Sequence, residues 1–187
     1  MRNSRKSGFF DKSFKEIFLS EIVSVIGGLI AGTLLALYTD KVLIIPGMLI
    51  VLPWFLEMRG NISGSFASRL TSGLFLKIID SKKYNSKIVR ENILASFIQA
   101  IIVSFLLGII LFLFHLIFIK SLQISLIFIP LFAALIANFV EIALTLTATF
   151  TLFRNGHDPN NIIGPFVTTT GDITSILSLL LVFYIIL

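Results

Sequence analysis

The sequence contains no cysteine and only two histidines, and these shortages exclude several kinds of site. Without cysteine the chain forms no disulfide, no thiolate metal site and no cysteine nucleophile. His115 lies alone in an apolar run, with no ligand partner at metal-binding spacing, so we expect it to be structural or to face lipid. No nucleophile stands beside a base in a recognisable pattern. The sequence therefore argues against an enzyme.

Charged residues are also scarce. They make up 13% of the 187 residues, against roughly 25% in soluble domains. Hydrophobic residues make up 56%, and the mean hydropathy is +1.00. This composition predicts an integral protein of the lipid bilayer. The pI near 9.7 does not indicate nucleic acid as a partner, because Lys and Arg lie in loops beside hydrophobic spans, where they meet anionic head groups.

The first twenty residues are basic and form a segment of their own in this interpretation. Apolar side chains recur there at helical spacing, and the apolar run after Glu21 is too long for a cleaved signal peptide. We therefore predict that residues 1–20 form an amphipathic helix on the membrane surface, with a frayed basic tail as the alternative. A single transmembrane domain is expected to follow over residues 21–187.

Five hydrophobic segments in that domain can each cross a bilayer, which requires about 20 residues. They cover approximately residues 22–38, 42–79, 93–119, 122–153 and 162–187. The third and fourth are longer than required, so we expect tilted helices or protruding ends. The predicted fold is all-α and polytopic, with five transmembrane helices.

The distribution of positive charge predicts the orientation of these spans. One set of termini and loops carries most of the Lys and Arg residues, namely Arg2, Arg5, Lys6, Lys12, Lys15, Lys77, Lys82, Lys83, Lys87, Arg90 and Arg154. The opposite side carries only Lys41 and Lys120. Because positive loops stay in the cytoplasm, the N-terminus is expected inside and the C-terminus outside the cell membrane.

The second span is predicted to be broken. Pro46, Pro53 and Gly60 interrupt it, and Glu57 and Arg59 place two charges near the interruption, which we assign to residues 57–61. Irregular backbone at membrane depth requires protein or a water-filled cavity to satisfy its hydrogen bonds, and transporters use such broken helices to present backbone carbonyls and helix ends to ions. The alternative is a polar kink in which Glu57 is neutralised by Arg59 or Arg69.

Two further acidic residues lie inside predicted spans. Glu141 shares a helix face with Asn138 and Thr145, and pore lining and structural pairing are equally open for it. Asp158-Pro159 predicts a helix start, which places Asp172 about 20 Å into the last helix. An aspartate at that depth costs about 2.5–3.5 kcal/mol, so it is expected to face an ion path or, alternatively, to pair with Arg69.

Two motifs in these spans carry a family resemblance. The segment PWFLEMRGNISGSFASRL, residues 53–70, resembles the P-x-x-x-x-x-x-G-N segment of MgtE-type magnesium transporters, and its S-x-x-S-R-L form is closer to the related eukaryotic solute-carrier magnesium transporters. The segment DPNNIIGPFVTTTGD, residues 158–172, is similar to the family's D-P-x-N-x-x-x-P…G-D stretch. The motif order and the five spans also agree with the family.

The resemblance implies a homodimer that encloses one cation pore on its two-fold axis. It also implies that Asp172 faces this pore and binds a largely hydrated Mg²⁺, the transported ion, with no organic cofactor. Asn61 and Glu57 are the next candidates by position, and Glu141 completes the set of candidate metal-site residues. Small-residue stripes, Gly60-Gly64-Ser68-Ser72 and Gly28-Gly32, favour close helix packing. The cytoplasmic parts expected here are the basic tail and the loop of residues 77–90, so we do not expect gating by the large cytoplasmic regulatory domains of bacterial MgtE proteins.

Three functions remain open on the sequence alone. The first is a divalent-cation channel or transporter, with Mg²⁺ as the expected ion. The second is a Na⁺- or H⁺-coupled exchanger, in which Asp172 or Glu141 takes up a proton. The third is a non-conducting subunit that stabilises a larger membrane complex.

Overall fold

Long α-helices account for nearly all of residues 11–186, the part of the chain that the computed structural model describes. No strand occurs within these residues. The helices are α1 (Lys12–Leu37), the short α2 (Thr39–Leu43), α3 (Met48–Phe75), α4 (Lys87–Phe114), α5 (Ser125–Arg154) and α6 (Pro159–Ile186). A π-helical turn, His115–Ile119, extends α4. The predicted all-α fold is confirmed for the described residues.

Four of the long helices are apolar and long enough to cross a membrane: α1, α4 with its π-helical turn, α5 and α6. The chain is therefore a multi-pass membrane protein. Helix α3 has 28 residues, as many as α6, but it carries Glu57, Arg59 and Arg69. A membrane crossing by α3, and with it the count of five spans, remains a prediction from the sequence.

The N-terminal segment merges with the first span. Helix α1 begins at Lys12, where Asp11 accepts a hydrogen bond from the backbone N–H of Phe14, and it continues without interruption to Leu37. Residues 12–20 are thus the first turns of α1, whereas residues 1–10 lie outside the described residues. A surface location for residues 1–20 stays a prediction.

The structure does not contain the break that the sequence predicted at residues 57–61. Helix α3 is continuous through this segment and through Pro53. Glu57 and Arg59 leave the backbone intact because each keeps its backbone N–H for the helix, and their side chains lie on different sides of α3, one exposed and one buried. The irregular backbone lies earlier, between α2 and α3, and includes Pro46, one of the predicted interruptions. The long helix of the second span therefore begins at Met48 rather than near residue 42.

Gly47 and His115 hold this irregular segment against the end of α4. Gly47 has a φ of +82°, and a Cβ there would lie 2.6 Å from the ring of Phe114, so both conformation and space require glycine. His115 is buried, and its Nε2 lies 2.6 Å from the carbonyl oxygen of Pro46. Of the two roles predicted for His115, the structural one is confirmed.

Helix α3 lies in the middle of the bundle, against α4, α5 and α6, whereas α1 packs on α6. The first half of α3, with Met48 and Leu52, shares an apolar cluster with Leu179 and Val182 near the end of α6. Its second half packs through Ala67 against the beginning of α6, as a separate cluster shows. Helices α3 and α6 therefore run antiparallel.

Candidate functional site

Polar side chains form an exposed face on α3 and α6, which we call the polar face. On α3 it consists of exposed residues that recur every three or four positions after the first two turns of the helix, namely Glu57, Asn61, Ser65, Ser68 and Ser72. On α6 it consists of the exposed Thr168 and the half-buried Asp172, four residues further along. Two helices of an apolar bundle thus turn polar surface outward.

Three of the predicted site residues meet on this face. Asn61 donates a hydrogen bond of 3.1 Å from Nδ2 to Oε1 of Glu57. The Glu57 carboxylate also repels the carboxylate of Asp172 across the α3–α6 contact. Within residues 11–186 neither carboxylate forms an ion pair. The polar face therefore carries two acidic groups without a protein cation to neutralise them.

The fourth predicted residue, Glu141, lies behind this face in the interior of the bundle. Its side chain is fully buried. Its Oε2 accepts a hydrogen bond of 3.3 Å from Thr170, and its Oε1 accepts one of 3.1 Å from Thr174. The shared face of Asn138, Glu141 and Thr145 is borne out, since all three are buried. The structure does not bring Glu141 onto the polar face in the single chain.

Arg59 supplies the positive charge of the bundle interior. Its exposed fraction is 0%, and its NH1 donates a hydrogen bond of 2.9 Å to Oδ1 of Asn138. Ser96 donates to the same oxygen. The guanidinium attracts the Glu141 carboxylate, although the two groups form no ion pair among the described residues. Arg59 thus compensates the negative charge of Glu141 rather than that of Glu57, its neighbour in sequence.

The alternative pairings that involved Arg69 are absent from the described residues. Arg69 donates from Nε to Oδ1 of Asn92 on α4, at 2.6 Å. It forms an ion pair with neither Asp172 nor Glu57 in the described part of the chain. Within the described residues Asp172 therefore has no cationic partner.

The start of α6 sets the depth at which Asp172 lies. The helix begins at Pro159, and Asp158 accepts a hydrogen bond of 2.9 Å from the backbone N–H of Asn160. The predicted helix start is thus confirmed. Asp172 lies thirteen residues further along, about 20 Å into a helix.

Sequence reasoning missed Arg59, Thr170 and Thr174 as parts of the site. Successive helical residues turn by about 100°, so Arg59 lies about 200° from Glu57 and faces the interior. The signal available in the sequence was a second charged residue two positions after Glu57. The two threonines, spaced by four around Asp172, form the matching signal on α6.

The chemistry of the polar face suits hard cations. Carboxylate, amide and hydroxyl oxygens are the ligands that Mg²⁺ and Ca²⁺ prefer. Within residues 11–186 no group of three His, Cys, Asp or Glu side chains is arranged to hold a metal ion tightly. The face can attract a cation that keeps most of its water, or share one with a second copy.

Comparisons with known proteins agree with this chemistry. The model of the MgtE family, described as divalent cation transporters, matches residues 52–182. The matched range includes most of α3 and α6 and all of α4 and α5. No curated protein and no solved structure matches the chain.

Proposed function

The chain belongs to the MgtE family of divalent cation transporters, and on that premise we propose that it carries Mg²⁺ across the cell membrane along the polar face. Asp172 is the principal ion-facing residue in this proposal, and Asn61 and Glu57 lie beside it. Glu141 takes part from behind the face. The family already accounts for transport, so the proposal concerns the ion, its path and these residues.

One observation carries the proposal, namely that α3 exposes polar residues at successive turns from Glu57 to Ser72. A helix of 28 residues is about 42 Å long, more than the ~30 Å hydrocarbon core. If α3 crosses the membrane, Glu57 and Asn61 cannot face lipid without a large desolvation penalty. Water or another protein surface must therefore cover the polar face. A water-filled path for ions satisfies this requirement.

A second copy of the chain completes that path in our proposal. Related by a two-fold axis, two polar faces enclose one channel and double every carboxylate in it. The small-residue stripes support this arrangement, because a Cβ added at Gly28, Gly32, Gly60 or Gly64 meets no atom within 4 Å in the protomer. These glycines leave room for another backbone to approach.

Mg²⁺ suits the face better than an ion that must lose its water. The face offers carboxylates that no protein cation neutralises, but few groups converge closely enough to replace a hydration shell. Mg²⁺ retains its waters strongly and is bound through one or two carboxylates. A hydrated divalent ion between two copies of Asp172 fits this description.

Uptake by the purified protein in liposomes tests the proposed function. We expect Mg²⁺ to enter without a Na⁺ or pH gradient, and Co²⁺ or Mn²⁺ to compete with it. Dependence of uptake on either gradient would favour the coupled exchanger. A complete lack of divalent uptake would favour the non-conducting subunit.

The orientation of the spans can be tested with single cysteines, since the chain has none of its own. We expect labels at Lys83 and Asn155 to react from the cytoplasm and a label at Lys120 to react from outside, because positive loops stay inside. Leu187, outside the described residues, is expected to be external. An impermeant thiol reagent applied to intact cells shows which of these cysteines are accessible from outside. Asn155 and Lys120 on one side of the membrane would contradict the five-span arrangement.

Assembly is the third testable consequence. We expect a parallel dimer, so a thiol cross-linker should join two copies through a cysteine at Ser68, which lies on the polar face. A cysteine at Phe139, which is exposed on α5, serves as the matched control and should give no covalent dimer. A monomer that still conducts, as counted by single-molecule photobleaching, would refute the shared pore.

A further inference from the structure

Glu141 contacts the turn of α6 that carries Asp172. Thr170 and Thr174, which donate to its two carboxylate oxygens, lie one helical turn apart on one side of α6. Asp172 lies midway between them in sequence, so it is turned about 160° away from both threonines and toward the polar face. Glu141 also lies against the bare backbone of Gly171, where an added Cβ would be 4.0 Å from its Oε2. The carboxylate thus contacts α6 directly opposite Asp172.

The two threonine protons have other acceptors within reach. The Thr170 hydroxyl lies 2.9 Å from the carbonyl oxygen of Phe166, and the Thr174 hydroxyl lies 3.2 Å from that of Gly171. Each hydroxyl has one proton, so it donates either to its own helix or to Glu141. An ionised carboxylate is the stronger acceptor, because hydrogen bonds to charged groups are about twice as strong as neutral ones. The charge of Glu141 therefore decides where these protons go.

Arg59 favours the charged form of Glu141 in the buried interior. It is fully buried on α3, and its guanidinium attracts Glu141. Asn138, one turn before Glu141 on α5, receives the Arg59 hydrogen bond and so fixes the guanidinium near the carboxylate. A buried carboxylate without such a counter-charge would be strongly disfavoured. Helices α3, α5 and α6 are thereby linked through one polar network.

We propose that Glu141 is a positioning residue that clamps α6 through Thr170 and Thr174 and so holds Asp172 toward the ion. This inference rests on the proposed function of Asp172. The clamp fixes the rotation of α6 about its axis, and that rotation determines whether the Asp172 carboxylate reaches the path. Residues behind an ion-binding group that orient it commonly affect affinity by 10–100-fold.

The Thr170→Val/Thr174→Val double variant tests the clamp. Valine preserves the shape of threonine but has no hydroxyl proton to donate. We expect the Mg²⁺ concentration for half-maximal liposome uptake to rise about tenfold, with the maximal rate changed less. The rise in melting temperature that Mg²⁺ produces in the solubilised protein should shift to higher Mg²⁺ concentration by the same factor. Thr170→Ser/Thr174→Ser, which restores the hydroxyls, should return both values to those of the original chain.

Thr147→Val is the matched control for these variants. Thr147 is an exposed threonine on α5 that bonds back to the carbonyl oxygen of Ala143 and has no contact with Glu141. It should leave the Mg²⁺ dependence unchanged. If the double valine variant does not fold, Glu141→Gln serves instead, because a neutral amide loses the charge that attracts the two protons. A Mg²⁺ dependence like that of the original chain, in whichever of these variants folds, would overturn the clamp.

The clamp and the proposed function fail in different ways. If Asp172→Asn abolishes Mg²⁺ binding and the Thr170→Val/Thr174→Val variant binds normally, the clamp alone is wrong. If Asp172→Asn also binds and transports normally, the ion-facing role of Asp172 is wrong, and the clamp is overturned with it. Melting temperatures without Mg²⁺, measured in parallel, separate a loss of fold from a loss of affinity.

Discussion

The Asp172→Asn variant is expected to lose Mg²⁺ occupancy by at least tenfold while remaining folded. The substitution keeps the shape of the side chain, but in a two-fold dimer it removes two negative charges from the path. A pair of unit charges about 4 Å apart gains ~1 kcal/mol at a dielectric constant of 80 and ~4 kcal/mol at 20. Since ~1.4 kcal/mol corresponds to tenfold in affinity, the loss of both charges is large enough to measure. Liposome uptake over a range of Mg²⁺ concentrations gives the result.

Stability distinguishes this role of Asp172 from a structural one. Within the described residues Asp172 forms no ion pair and is repelled by Glu57, so removal of its charge should not lower the melting temperature. Asp40→Asn, the same change at an exposed residue of α2, provides the control for uptake. Near-normal uptake by the Asp172→Asn variant, together with a clear loss of stability, would show that Asp172 does not line the ion path.

The Arg59→Met variant is expected to lose about 3–5 kcal/mol of stability, the range found when one partner of a buried charge pair is removed. Arg59 and Glu141 are both fully buried, so Glu141 would remain in the interior without its counter-charge. Methionine retains much of the volume and apolar stem of arginine. Denaturant unfolding of the purified protein, followed by tryptophan fluorescence of Trp54, measures the change.

A double variant identifies the cause of that loss. In Arg59→Met/Glu141→Met both charges are absent, and apolar replacement of a buried pair is often neutral or stabilising. We expect most of the stability to return, although Mg²⁺ affinity should stay low because the clamp is gone. If the double variant instead loses as much stability as the Arg59→Met and Glu141→Met single variants lose together, Arg59 and Glu141 do not interact.

The sequence predicted most helices because their signals are local. Apolar runs placed α1, α4, α5 and α6 within the bilayer, and Asp158-Pro159 marked the start of α6 correctly. The predicted break at residues 57–61 was wrong because Glu57 and Arg59 disrupt no backbone hydrogen bond. Their side chains diverge, with one exposed and the other buried. Composition alone could not separate a charged helix from an interrupted one.

The candidate site was partly predictable for a related reason. Asp172, Glu57 and Asn61 stand out in sequence, since each is polar in an apolar context, and the structure brings them to one face. The partner of Arg59 could not be predicted, because α3 and α5 approach each other only in the folded bundle. Asn138 and Glu141 lie about eighty residues from Arg59 in the chain. Only the packing of α3 against α5 reveals that Arg59 compensates the negative charge of Glu141.

The accessibility of a cysteine at Ser65 tests the central claim, that the polar face of α3 lines a water-filled ion path, most directly. Ser65 lies on this face between Asn61 and Ser68, and Val103, exposed on the apolar side of α4, is the matched control. In membranes, a charged thiol reagent should modify the Ser65→Cys variant, block its Mg²⁺ uptake and react more slowly when Mg²⁺ is present. The Val103→Cys variant should not react. If Ser65→Cys proves as unreactive as Val103→Cys, the polar face does not meet water and the proposed path is wrong.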